Sequence, residues 1–167
     1  MDLIGILLNA GSDPLTYSII FFVYVVLAAV VLPIPVEIGL FNPYINPILL
    51  ISILAVGKGV GSFFVFEIGT KARKKMKKIS TSNSFINKIV EYSEWFVKKW
   101  GYYGLLIILS TPLMIDSISL YLFSLLNPEK KGEGMDMRPF ILVNIVGGAI
   151  RGIITLAVFY YAGIKLA

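Results

Sequence analysis

Four charged side chains stand inside otherwise uncharged apolar stretches, and they hold most of the chemistry this sequence can offer. Glu37 is the only acidic or basic residue between Pro14 and Gly57, and Asp116 is the only one between Gly101 and Pro128. Lys58 and Arg151 are bases set within two further apolar blocks. A charge at the centre of a bilayer costs about 2.5–3.5 kcal/mol on insertion scales, so each must be neutralised or put to use. Glu37 with Lys58 or Arg151, and Asp116 with the other base, would form structural ion pairs. In the functional reading, the acids line a hydrated cavity and exchange protons while the bases attract an anionic phosphate headgroup.

Other chemistries lack parts. With no Cys and no His, there is no thiolate nucleophile, no imidazole base and no thiolate or imidazole metal ligand. Ser110, Thr111, Ser117 and Ser119 surround Asp116 without completing a triad. Lys58 with Ser62 at helical i,i+4 spacing is a candidate dyad. No enzyme, metal or cofactor is expected. Glu67, beside the basic run that begins at Lys71, is expected to form an interfacial ion pair. Asn144 is expected to hydrogen-bond across helices.

The elements that must position these residues follow from hydropathy. Apolar residues make up 57% of the 167 positions, mean hydropathy is +0.83 and only 15% are charged. A bilayer is the solvent that fits. Four apolar blocks stand out: Leu15–Leu32, continuing through the proline-rich stretch to Pro47; Ile48–Gly69; Gly101–Leu126, broken at Pro112; and Pro139–Gly163. The N-terminus carries Asp2 and Asp13 and no Lys or Arg, so no secretory leader is expected. The net charge of +5 lies mostly in the run Lys71–Lys78, which argues for the cytoplasmic side and anionic lipid rather than nucleic acid. Residues 80–84 supply helix caps. Ile86, Ile89, Val90, Phe96, Val97 and Trp100 then recur at near-helical spacing, an amphipathic interfacial helix anchored by Trp95 and Trp100. Tyr160 and Tyr161 read as interfacial belt.

The two halves share a pattern. Pro33 precedes Glu37 by four positions and Pro112 precedes Asp116 by four. Each half continues into a glycine-rich block holding one base: Gly57, Gly59 and Gly61 around Lys58, and Gly147, Gly148 and Gly152 around Arg151. Four plain spans would put the nine Lys and Arg of residues 70–100 and the three of residues 127–138 on opposite sides, against the positive-inside tendency. Re-entrant hairpins broken at Pro33, Pro35 and Pro112 put both on one side. The expected fold is therefore a single all-α polytopic membrane domain. It comprises an inverted repeat of two re-entrant helical hairpins and two or more transmembrane helices, with repeats at 15–69 and 101–163. A cytoplasmic linker with the amphipathic helix occupies 70–100. Gly57, Gly61, Gly69, Asn144, Gly147 and Gly148 are the expected packing positions.

These residues resemble the DedA/VTT family, also called SNARE-associated Golgi-type membrane proteins. Pro33-Ile-Pro-Val-Glu37 is similar to the family's proline-rich turn ending in an acid. Gly57, Gly61, Phe66 and Gly69 look like its Gly-x3-Gly-x4-aromatic-x2-Gly helix, and Phe140, Asn144, Gly147 or Gly148, and Gly163 are similar to its second half. The family's Arg after the helix glycine is Thr70 here, with Arg73 three residues on. Its Arg-x2-Pro-x2-Arg signature is replaced by Ser110-Thr-Pro112-Leu-Met-Ile115. The resemblance implies a flippase or scramblase moving phospholipid or polyprenyl-phosphate carriers between leaflets of the cell membrane. It names membrane lipids as partners, with a second copy of the chain as a further candidate. A proton-coupled exporter of small solutes, as in the small multidrug export group, and a non-transporting membrane subunit are the competing expectations.

Overall fold

The computed structural model describes residue 5 and residues 13–31, 34–80, 84–112, 116–125, 127 and 135–161, with side chains at 74–80, 84–94, 96, 98 and 116 left aside. The described residues form helices and connecting turns: α1 (Pro14–Val30), a 3-10 turn (Val36–Leu40), α2 (Pro47–Ser80), α3 (Ser84–Ser110), α4 (Asp116–Leu125) and α5 (Met137–Tyr161).

Two helices start by the same local device. Asp13 precedes Pro14, and its carboxylate accepts from the Leu15 and Thr16 amides. Asn46 precedes Pro47, and its Oδ1 accepts from the Ile48 amide at 2.8 Å. Proline at the first helical position lacks an amide that would be unsatisfied there anyway, while the side chain before it caps the next ones. The basic run is not a loop: α2 continues through it to Ser80, as Lys and Arg are good helix formers. Gly101 interrupts α3 with φ 31° and ψ −119°, dividing the amphipathic part from the apolar segment 102–110.

Side-chain contacts fix the directions. Gly57 rests on Val25 and Gly61 on Ala29, so α1 and α2 run parallel. Gly59 meets Ile145, Gly152 meets Ile51, and the rings of Phe66 and Phe140 lie 5.0 Å apart, so α2 and α5 run antiparallel. The basic run beyond Gly69 and the residues entering α5 at Met137 therefore lie at the same end of the bundle.

Both broken segments turn back. After α1, the chain returns along it, with the Tyr24 hydroxyl donating to the Pro35 carbonyl at 3.1 Å and Tyr17 to Gly39 at 2.9 Å. Residues 102–110 and α4 form a second hairpin whose two ends come back to one place. There the Asp136 amide donates to the Tyr102 hydroxyl, and the Asn127 amide side chain clasps the Met135 backbone at both N–H and C=O. The Tyr121 hydroxyl ties the hairpins together by donating to the Val30 carbonyl, one of the acceptors that the end of α1 leaves open. Each hairpin has its own apolar core: Tyr17, Phe21, Tyr24, Leu50 and Leu54 at one end, and Val65, Leu105, Leu109, Phe123 and Phe140 at the other.

The segments Pro47–Arg73 (27 residues) and Met137–Tyr161 (25 residues) are long and apolar enough to cross a membrane. Their outer faces expose Ile48, Val56, Phe63, Phe64, Leu142, Ile153 and Val158, the pattern expected of helices solvated by lipid.

Candidate functional site: the buried charges between the hairpins

The 3-10 turn carries Glu37 inward against the middle of α5. Arg151 Nε donates to Glu37 Oε1 at 2.6 Å, and Nη2 contacts the same oxygen. Both side chains are almost wholly buried, Arg151 at 1% and Glu37 at 4% exposure. The turn is held on either side of the acid, because the carbonyls of Pro35 and Gly39, two residues before and two after Glu37, accept from Tyr24 and Tyr17. Gly39 is also pressed against the Phe21 ring, where a Cβ would collide. Glu37 is thus positioned by α1 and neutralised by α5.

Lys58 is equally buried, at 1% exposure. Its aliphatic stem crosses Gly148, where an added Cβ would lie 2.9 Å from Lys58 Cδ and 3.2 Å from the Ala55 backbone. Gly148 therefore brings α2 and α5 together beside this base. Gly147 receives Leu109, and Gly69 receives Ser124. These close approaches mark the glycine contacts α1–α2, α2–α4, α2–α5 and α3–α5.

Of the two acids, Glu37 joins Arg151. Asp116 opens α4, while its side chain lies outside the described residues, as do Pro33 and Gly163. Pro35 leads into the 3-10 turn and Pro112 follows the end of α3. Glu67 pairs with Lys71 at 3.2 Å on the exposed side of α2. One expectation is corrected: Asn144 does not bond across helices through its amide nitrogen. Its Nδ2 donates to the Phe140 carbonyl one turn earlier in the same helix at 2.8 Å. Its Oδ1 has no hydrogen-bond partner among the described residues.

Comparison of the chain with family models, with curated proteins and with solved structures finds no match. The reading of this site rests on its residues.

Several residues of the site carry no warning in composition. Tyr17 and Tyr24 read as apolar positions of α1, yet their hydroxyls hold the Glu37 turn. Arg73 is buried near the far end of α2 at 7% exposure, although it belongs to a run that otherwise suggests a solvated face. Ser62 and Thr155 are buried hydroxyls one turn beyond Lys58 and Arg151. A signal for them does exist. Lys58-Gly-x2-Ser62-x3-Phe66 and Arg151-Gly-x2-Thr155-x3-Phe159 are the same pattern, base-Gly-x2-hydroxyl-x3-Phe, written once in each half.

At the Pro47 end, the rings of Phe41 and Phe159 stack at 4.0 Å. Beside them lies a cavity of about 110 Å³ lined by Leu40, Asn42, Ile45, Pro47, Leu156 and Tyr160. Leu40 ends the turn that carries Glu37, and Leu156 follows Thr155, so the cavity opens one helical turn from the ion pair.

Proposed function

We propose that this chain is a membrane transporter moving lipid between leaflets, either phospholipid or a polyprenyl-phosphate carrier. The path lies between two re-entrant hairpins that enter from opposite sides. The observation that carries the reading is the buried Glu37–Arg151 pair. It joins the first hairpin to the helix of the other half, close to where α2 and α5 cross. An ion pair that joins the two halves is a natural point at which proton or substrate binding changes their relative position. The second half carries Asp116 at the corresponding position of its sequence, four residues after Pro112, and the basic run would face the cytoplasm and its anionic lipids.

The test is translocation of labelled phospholipid by purified protein in liposomes. Wild type is expected to move lipid, and Glu37→Gln to slow it at least severalfold. An unchanged rate in Glu37→Gln would remove the acid from the mechanism. The closeness of the same pair also favours a second reading, a membrane subunit in which Glu37 and Arg151 only lock the hairpin. Exchange of the charges, Glu37→Arg with Arg151→Glu, would then restore the fold with nothing further to lose. In a transporter it would restore the fold without restoring the rate.

A further inference from the structure

The two base-Gly-x2-hydroxyl-x3-Phe segments occupy matching places in the structure as well as in the sequence. Lys58 and Arg151 are each 1% exposed. The glycine after each base receives an isoleucine from the facing helix, Gly59 taking Ile145 and Gly152 taking Ile51. Each closing phenylalanine pairs with an aromatic ring of another element, Phe66 with Phe140 and Phe159 with Phe41. Because α2 and α5 are antiparallel and the Gly148 backbone meets that of Ala55, the two segments point opposite ways from one contact point. Lys58 and Ser62 lead toward the Gly69 end, while Arg151 and Thr155 lead toward the Pro47 end.

The hydroxyls are the unusual part. Thr155 is 9% exposed, and its Oγ1 has no hydrogen-bond partner among the described residues. A buried hydroxyl left unpaired destabilises the fold, because its hydration is lost without replacement. In an apolar helix Val would fill the same space without that cost. Along α5, Thr155 stands between Arg151 and the residues Leu156 and Tyr160 that line the cavity with Asn42. Ser62 is wholly buried and donates to the Gly59 carbonyl at 2.8 Å, leaving its oxygen able to accept and its proton able to be redirected.

We propose that these segments are two stations for one phosphate oxyanion, Lys58 with Ser62 on the Gly69 side of the helix crossing and Arg151 with Thr155 on the Pro47 side. A fixed cation beside a hydroxyl donor is the pairing that recognises phosphate oxygens. A carboxylate, that of Glu37, already occupies Arg151, and a phosphate arriving from the cavity exchanges with it as Glu37 takes up a proton, so that no unpaired buried charge is left. The oxyanion belongs either to a lipid headgroup or to free phosphate. The lipid case rests on the translocation reading above, whereas binding of the oxyanion does not.

The experiment therefore has two arms on the full chain, using Ser62→Ala, Thr155→Val and the conservative Thr155→Ser. In the first arm, inorganic phosphate is titrated calorimetrically into protein in detergent. In the second, phosphatidylcholine vesicles report the movement of fluorescent phosphatidylglycerol and of phosphate-free glucosylceramide. Wild type is expected to bind phosphate. Ser62→Ala and Thr155→Val are each expected to weaken binding and slow phosphatidylglycerol at least threefold with glucosylceramide unchanged, and Thr155→Ser to retain both. Phosphate binding that both variants weaken, with no lipid moved by wild type, would support the stations for free phosphate and reject lipid translocation. Lipid movement without phosphate binding, or equal slowing of both lipids, would overturn the stations and leave translocation standing. Sensitivity to only one hydroxyl would overturn the two-station arrangement.

Discussion

Arg151 reaches Glu37 across 114 positions of sequence, its Nε donating 2.6 Å to a carboxylate oxygen that Nη2 also contacts. Both partners are buried, so removing one leaves a charge with no water to compensate it, a loss of about 3–5 kcal/mol. Replacing both by apolar residues of similar size removes the problem along with the pair. Glu37→Leu and Arg151→Met are therefore each expected to destabilise strongly, and the double variant by much less than their sum. Reversible unfolding in mixed micelles, arranged as a double-mutant cycle, measures the coupling. Additive losses would mean that the two groups do not depend on each other.

Tyr17 and Tyr24 stand two turns apart on α1 and brace the Glu37 turn from both sides. Phenylalanine keeps the ring and its packing, removing only the donor. Tyr17→Phe is expected to cost about 1–3 kcal/mol, because the buried Gly39 carbonyl is left unsatisfied, and Tyr24→Phe less, because the Pro35 carbonyl is only partly buried. Loss of both should loosen the turn enough to weaken the Glu37–Arg151 coupling in the same cycle. Coupling that survives in the doubly substituted protein would mean that Phe21 and Gly39 position the turn unaided.

Much of this arrangement is legible in the residues. The breaks in the apolar blocks, the helix start at Pro47 and the division of α3 at Gly101 all follow from proline and glycine chemistry. Which base Glu37 would choose is not legible, since Lys58 and Arg151 are both single cations in glycine-rich helices. The choice depends on the route of the return limb past α5, which only tertiary packing decides. Asn144 satisfies its donor with the nearest carbonyl of its own helix, an option always open to a polar side chain in an apolar helix. The brace formed by Tyr17 and Tyr24 is hidden because an aromatic ring with a buried hydroxyl scores as apolar. The repeated base-glycine-hydroxyl-phenylalanine pattern is fully written in the chain, but it emerges only when the halves are aligned on Lys58 and Arg151 instead of on their prolines.

Gly101 and Gly69 predict opposite kinds of damage. An added Cβ at Gly101 meets nothing within 4 Å, but the backbone there has φ 31°. Alanine should cost about 1–2 kcal/mol through left-handed strain alone. It should also favour a straighter α3, read as a longer distance between spin labels at Trp95 and Ile107. At Gly69 the backbone is ordinary helix and the space is filled by Ser124. Gly69→Ala should cost about 1–3 kcal/mol through overpacking, and Ser124→Gly should relieve it. Failure of that relief would place the obstruction elsewhere on α4.

Asp13 gives the first turn of α1 a pH dependence. Hydrogen bonds from the Thr16 hydroxyl and the Thr16 amide hold its carboxyl below the ordinary value of 3.8. A group whose folded pKa is depressed stabilises fully above its unfolded value and loses that effect as pH falls through the folded one. Amide protection at Leu15 and Thr16, corrected for intrinsic exchange, should therefore be full at neutral pH and decline below about pH 4. Asp13→Asn, which caps without titrating, should remove the decline. A decline that persists in the variant would assign it to another group.

The absence of native cysteine makes the direction of the bundle directly measurable. Lys71 and Arg138 stand at the end of the bundle shared by the basic run and the entry to α5, whereas Tyr44 and Tyr161 stand at the other. All four are exposed. If the two broken segments are hairpins that do not cross, single cysteines at Lys71 and Arg138 should react with an impermeant maleimide from the same face of sealed vesicles. Cysteines at Tyr44 and Tyr161 should react only from the opposite face. Four complete spans would instead separate Lys71 from Arg138, because the second broken segment would carry the chain across between them. Labelling of those two positions from opposite faces would therefore remove the re-entrant hairpin, and with it the meeting of two hairpins from opposite leaflets on which the proposed lipid path depends.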